Sequence, residues 1–334
     1  MKRELAISVQ VGDALQFEAD VLALKHAQTL YGVDGAVFHT LERNGISVRL
    51  PKPSGFTFQN TQGVIGAKSV LFIGVEGLQY FAYPEIREFS RKVLASLAGE
   101  APKVAHVALT IHGPGYGLDE IEAFESELAG LIDAVTSGDY PEALHSITFI
   151  ERNFGRARRL SAALERLLPN GSIPVDGRGS ISNLEIGAQH TLRTAGYSSA
   201  GKSHVFVAMP FAEEMDDVFH YGIQGAVNSA GLLCERADLS TFTGDVMDWV
   251  KRRISSATLV IADLSSANPN VYLEVGYAWG CRVPTVLLAR DATDLKFDVK
   301  SQRCVLYKSI KSLEDALSRE LQGLQRQRPE HQRL

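Results

Sequence analysis

Apolar positions come in short runs of strand length that alternate with longer stretches at helical spacing, and this alternation occurs twice along the chain. The first pass predicts strands over residues 5–11, 21–24, 69–75, 104–111 and 146–150. Helices are predicted over 34–43, 84–97, 118–135 and 155–168. The second pass predicts strands over 204–209, 232–235, 258–263, 285–289 and 303–307, with helices over 213–230, 245–255, 271–280 and 312–324. Between them, residues 169–202 are rich in turn formers and poor in periodic apolar positions, which reads as a linker. The expected organisation is therefore two three-layer α/β domains in series, 1–168 and 203–324, joined by that linker and followed by a polar tail over 325–334. Strands and helices alternating at this length imply mostly parallel sheets covered on both faces. No short internal repeat is present.

Composition changes this picture little. A 334-residue chain with 45% hydrophobic and 22% charged residues suffices for two cores. The formal net charge of -5 argues against a general nucleic-acid binder. The amino terminus lacks the apolar core of a signal peptide and no segment approaches a membrane span, so the expectation is a soluble, cytoplasmic protein with no membrane partner. Cys234, Cys281 and Cys304 are scattered and lack metal-site spacing. They read as small buried hydrophobes, and neither a metal nor a cofactor is expected.

The chemistry concentrates around Asp263-Leu-Ser-Ser-Ala-Asn-Pro-Asn-Val-Tyr-Leu-Glu274. Asp263 ends a β-branched run and so stands at the carboxyl end of a buried strand, where open α/β sheets hold their ligands. Residues 265–270 supply turn and capping chemistry, and Glu274 falls about one turn into an apolar helix. A carboxylate in an apolar stripe is unfavourable unless it is paired or working. The competing reading makes Asp263 a turn cap and Glu274 a residue bonded to a neighbouring loop. Asp245, after Thr243-Gly244, is either a third acid or a helix cap.

These residues carry a resemblance. The first strand with its Met209-Pro210-Phe211 turn, the segment Ile254-Ser-Ser-Ala-Thr-Leu-Val-Ile-Ala-Asp263, and Asn268-Pro-Asn-Val-Tyr-Leu-Glu-Val-Gly-Tyr-Ala278 resemble the nucleoside 2-deoxyribosyltransferase-like superfamily, with kinship to Toll/interleukin-receptor-like (TIR) NAD-cleaving domains. The resemblance implies a flavodoxin-like fold for 203–324 and cleavage of an N-glycosidic bond. Glu274 matches the family's catalytic glutamate, acting at C1 of the sugar. It implies that Asp263 holds ribose hydroxyls or orients the leaving base, and that Met209, Pro210 and Phe211 present backbone and an aromatic to the substrate. Arg236 either reaches a phosphate or forms a surface salt bridge, and Asn270 orients the sugar or caps the helix. Some members carry an aspartate six residues before the glutamate, where this chain has Asn268.

The first domain resembles macro domains and the macro-like amino-terminal domain of leucine aminopeptidases. The likeness rests on the stretch from Gly12-Asp13 through Asp20-Val21-Leu22, on Ser69-Val-Leu-Phe-Ile-Gly-Val-Glu-Gly-Leu, and on His112-Gly-Pro-Gly-Tyr-Gly-Leu-Asp119. It implies an ADP-ribose-type ligand at Asp20, Gly113, Gly115, Tyr116 and Gly117, with glycines letting backbone amides close on a diphosphate. The same loop also reads as a plain turn. The combined expectation is a cytosolic two-domain protein in which a macro-like domain binds a nucleotide and the second hydrolyses NAD or a related nucleotide. Such a pairing resembles antiviral effectors. Alternatives are a deoxynucleoside or deoxynucleoside-monophosphate transferase or hydrolase, and a non-catalytic nucleotide-binding module. The expected partner is a small-molecule nucleotide, with homo-oligomerisation as in TIR-like enzymes.

Overall fold

The computed structural model describes residues 4–175, 184–236 and 245–327. The chain forms two compact units, residues 1–114 with 120–200, and residues 115–119 with 201–334. The first unit runs β1 (Glu4–Val11), β2 (Val21–His26), α1 (Gly32–Arg43), β3 (Phe56–Asn60), β4 (Ser69–Gly74), α2 (Tyr83–Glu100) and β5 (His106–Thr110). It continues with α3 (Glu120–Ser137), β6 (Ser146–Glu151), α4 (Phe154–Leu167), β7 (Ser172–Pro174) and α5 (Ile186–Thr194). Its seven-stranded sheet has the order β3-β4-β2-β5-β6-β1-β7. Five central strands are parallel, and β3 and β7 close the two edges antiparallel.

β2 and β4 are buried on both sides, as their runs of apolar residues require. On the covering layer, α2 and α3 approach closely because Gly130 has no Cβ: one built there would lie 1.9 Å from the Arg87 carbonyl oxygen. The approach lets the Ser90 hydroxyl donate to the Glu127 carbonyl at 2.6 Å. Residues 169–202, expected as a linker, are part of this unit up to residue 200. Arg87, buried and bidentate to Asp133, donates Nη1 to the carbonyl oxygens of Ala195 and Arg193. The turn-former composition hid a three-residue strand pairing with β1 and a nine-residue helix packed on α3 and α4.

The second unit comprises β8 (His204–Ala208), α6 (Glu213–Asp217) and α7 (Gly225–Ser229) joined by π-helical turns over Val218–Gln224, then β9 (Leu233–Glu235) and α8 (Asp245–Ser256). It ends with β10 (Leu259–Asp263), α9 (Pro269–Gly280), β11 (Thr285–Ala289), β12 (Cys304–Leu306) and α10 (Ile310–Gln327). Its sheet is wholly parallel with the order β12-β11-β10-β8-β9. Counted from β8, that is the 2-1-3-4-5 arrangement of a flavodoxin-like sheet. One apolar cluster, with Val205, Ile223 and Leu317, covers one face; the other face packs Phe206, Val260, Val271 and Val275. No helix among the described residues is long and apolar enough to cross a membrane.

Candidate functional site

In a 2-1-3-4-5 sheet the chain leaves the first and third strands toward opposite sides, opening a crevice at their carboxyl ends. Here those strands are β8 and β10, parallel neighbours with Ala208 opposite Ala262. The Met209-Pro210-Phe211 turn and Asp263 therefore emerge side by side, with Arg236 just beyond the end of the adjoining β9.

Glu274 stands in the second turn of α9, whose start is set by Pro269 at the first helical position and by Asn268, whose side chain accepts the Asn270 amide at 2.9 Å. Val271, Val275 and Ala278 bind the helix to the sheet, and Glu274 shares their buried setting at 8% exposure. Among the described residues nothing hydrogen-bonds or ion-pairs with its carboxyl group. Burial alone pushes it up from the ordinary 4.5 to about 7. A largely buried carboxyl group with no partner is raised in this way and changes charge near neutrality.

Asp263 is in a different state. It is fully buried, one carboxylate oxygen accepts the Ser265 amide at 2.9 Å, and the other accepts the Tyr307 hydroxyl at 2.6 Å. The Ser265 hydroxyl accepts the Arg290 amide at 3.0 Å, and the Leu264 amide donates to the Leu288 carbonyl at 2.8 Å. Burial, then the Asp263 charge, push Tyr307 up to about 12, so it remains a neutral donor. Within this turn Ser266 and Ala267 take φ of +64° and +50°. Left-handed backbone at two successive non-glycine residues costs roughly 1–3 kcal/mol each and persists only where the surroundings impose it.

The other expected site residues divide. Met209 and Pro210 are buried and Phe211 is exposed. Arg236 lies 4.1 Å over the Phe219 ring and 5.1 Å from the Phe211 centroid, with Nη2 3.3 Å from Asp216 and Nη1 3.7 Å from the Met209 sulfur. Asn270 is exposed in the first turn of α9 and contributes its amide to the cap. Asp245 begins α8, and its side chain lies outside the described residues.

The residues expected to form the ligand loop of the first domain are not all brought together. Gly113 and Gly117 have φ of +113° and +99°, as a tight glycine turn demands. Residues 115–119, however, group with the second unit. There the Gly117 carbonyl accepts the Arg236 amide at 3.1 Å, and the buried Asp119 carboxylate accepts the Cys234 amide at 3.0 Å. Asp20 is a correction. It precedes β2 at the amino-terminal edge of the sheet, accepting the Ala105 and His106 amides where β5 begins, plus the Lys68 ammonium at 2.8 Å. Parallel strands put that position at the edge opposite Gly113.

Sequence reasoning missed a buried polar group at the carboxyl ends of β2 and β5. Lys25, which follows the apolar run Val21–Leu24 in β2, donates to Asp34 in the first turn of α1 at 2.7 Å. His112 receives Glu127 of α3 at two points: the backbone amide donates to one carboxyl oxygen, and Nδ1 lies 3.2 Å from the other. Burial and the nearby Lys25 charge hold His112 well below its ordinary range, and burial holds Glu127 well above its own. Asp34 is likewise raised by burial, opposed by Lys25. The available signals were a lysine following an apolar run and an acid in a helix's first turn.

Among the described residues no three histidine, cysteine, aspartate or glutamate side chains cluster as a metal would need. The described residues form an α/β protein with two sheets, with Asp263 at the carboxyl end of β10 and the buried Glu274 on the helix that follows it. No family model matches the chain. No curated protein matches it either. Among solved structures, a Trypanosoma brucei macrodomain in complex with ADP is similar at 14% identity and a TM-score of 0.39, over 48% of this chain and 69% of that one. An Oceanobacillus iheyensis macrodomain with MES bound is similar at 13% identity and a TM-score of 0.37, over 51% and 99%. A tomato leucine aminopeptidase mutant is similar at 9% identity and a TM-score of 0.33, over 97% and 90%.

Proposed function

We propose that the second unit hydrolyses the N-glycosidic bond of NAD or a closely related nucleotide, with Glu274 as the carboxylate that supports C1 of the ribose. The observation that carries this reading is Glu274 itself, buried on the helix that follows β10 with no hydrogen-bond partner among the described residues. As the C1–N bond breaks, positive charge gathers on the sugar, and a fixed carboxylate in a low-dielectric site stabilises it electrostatically or by transient bonding. Water then adds at C1. Nicotinamide, ADP-ribose and one proton are released.

The charge on the leaving group separates NAD from the alternative substrates. Nicotinamide is cationic in NAD and departs neutral, so no acid is required. A nucleobase of an ordinary deoxynucleoside departs as an anion unless something protonates it. Asp263 has both oxygens committed to Ser265 and Tyr307, so it supports the reading without an acid. The first unit is proposed to bind an ADP-ribose-type ligand where the chain turns after β5, the positive φ of Gly113 supporting a tight backbone turn there.

The test is product analysis of wild type and Glu274→Gln with NAD, then with deoxynucleosides and their monophosphates. The expected result is nicotinamide release by wild type only, reduced at least about 10³-fold in the variant. An ionised Glu274 also requires kcat/KM to rise with pH and level off above an apparent pKa near 7. Release of free base from deoxynucleotides with NAD untouched, and a rate falling through pH 7, would assign Glu274 as an acid instead.

A further inference from the structure

We propose that Tyr307 is a positioning residue for the Glu274 site, acting through Asp263 to hold the strained turn from which α9 begins. The inference rests on the proposed role of Glu274. It reassigns Asp263 from a substrate-facing acid to the hub of a buried latch.

Asp263 is the last residue of β10, and Glu274 lies eleven positions later on the helix that β10 feeds. Between them the chain makes a left-handed excursion at Ser266 and Ala267, conformations neither side chain favours. Something outside the turn must impose it, and the hydrogen bonds show what does. Asp263 grips the turn from within through the Ser265 amide, and Tyr307, placed immediately after β12, grips Asp263 at 2.6 Å. The Arg290 amide, just past β11, fixes the Ser265 hydroxyl, and Leu264 is bonded to Leu288 of β11. Three strand ends thus converge on one turn. Tyr307 is itself anchored through its amide to the Ala289 carbonyl at 3.1 Å. With Tyr307 a neutral donor up to about 12, the latch keeps the same proton arrangement while Glu274 titrates.

A fully buried carboxylate whose two oxygens each already accept a hydrogen bond from its own protein is suited to act as a fulcrum. A displacement of α9 by even about 1 Å moves the carboxyl group relative to C1, and rates of well-oriented reactions fall by about 10²-fold for errors of that size. Substrate affinity, set by groups away from Glu274, should change much less.

The test uses full-length Tyr307→Phe, which keeps the ring and removes the hydroxyl that donates to Asp263, alongside Asp263→Asn. The first readout is amide hydrogen exchange, which needs no substrate. Amides between Ser265 and Asn270 are expected to exchange about 10-fold faster or more in Tyr307→Phe, with β8 and α10 unaltered. Unchanged exchange in that segment overturns the proposal, as does acceleration spread evenly over the second unit. The second readout is steady-state kinetics on the substrate wild type is found to turn over. Both variants should lower kcat about 10–100-fold with KM within about threefold and the pH midpoint near 7 retained, and the double variant should be no worse than the worse single one. Loss of one limb of the pH profile in Asp263→Asn, with kcat intact in Tyr307→Phe, overturns it in favour of an acid role. If wild type turns over nothing, the Glu274 reading fails, and the exchange result still decides whether Tyr307 holds the turn.

Discussion

The two sheets treat buried charge in opposite ways. At the carboxyl ends of β2 and β5, Lys25 is paired with Asp34, and His112 shares a hydrogen bond with Glu127. At the carboxyl ends of β8 and β10, Asp263 is satisfied by Ser265 and Tyr307, while Glu274 meets no donor among the described residues. A buried acid with a partner explains itself through that partner. A buried acid without one lowers stability and persists where function needs it. Burial alone therefore does not mark a candidate residue; the role proposed for Glu274 rests on burial together with a carboxyl group that has no partner among the described residues.

The contrast predicts its largest stability effect in the first unit. Lys25→Met leaves Asp34 buried without its cation, and breaking such a pair from one side typically destabilises by about 3–5 kcal/mol. Replacing both, Lys25→Met with Asp34→Leu, should recover most of the loss, because the pair's attraction is offset by its own desolvation. Urea unfolding of the full chain checks this. A double variant whose loss equals the sum of the Lys25→Met and Asp34→Leu losses would mean that Lys25 and Asp34 are not coupled.

The next effect has the opposite sign and belongs to Glu274. Its folded-state value of about 7 is raised above the ordinary 4.5, so the neutral form is the one folding favours. Stability from this group is fully present below about pH 4.5 and is lost as pH rises through 7. Above that, ionising Glu274 in place lowers stability by up to about 3 kcal/mol, at 1.36 kcal/mol per unit. Glu274→Gln should consequently melt higher than wild type at pH 8, with the gain vanishing toward pH 5. Melting curves of the two proteins that stay parallel from pH 5 to 8 would show that Glu274 titrates normally and that the contrast between the two sheets is empty.

How much of this was legible in the sequence depends on the distance over which each residue finds its partner. The β10–turn–α9 unit was readable because its signals are local: a β-branched run, turn formers, Pro269, and an acid among apolar residues at helical spacing. The role of Asp263 was not, since its decisive partner is Tyr307, 44 positions away. Asp20 was misplaced because a strand's apolar pattern does not say which end faces a ligand; its bonds to Ala105 and His106 do. Edge strand β3 escaped because Thr57, Gln59 and Asn60 leave little apolar pattern on a half-buried edge. Likewise β7 and α5 are too short and polar to announce themselves, and Arg87, which fastens the segment after α5, lies over a hundred positions away.

The smallest predicted effect tests the rule on a cation. Arg236 was a candidate for reaching a phosphate, but its guanidinium is already stacked on Phe219 and Phe211 and paired with a half-exposed Asp216. By the logic that separates Glu274 from Lys25, a group so occupied is structural. Arg236→Met keeps the apolar stem and loses the stacking, worth about 0.5–1 kcal/mol per ring, and a part-exposed ion pair worth about 0–1 kcal/mol. A loss of about 1–2 kcal/mol in the unfolding of the second unit is expected. The ratio of KM values for phosphorylated and unphosphorylated substrates should stay within about threefold of wild type. A selective tenfold rise for phosphorylated substrates would be about 1.4 kcal/mol of lost recognition. It would mean that Arg236 leaves Asp216 for the incoming phosphate. A satisfied side chain would then be a reserve donor, and occupancy in the unliganded protein would distinguish structural from functional groups only for acids that have no partner to exchange.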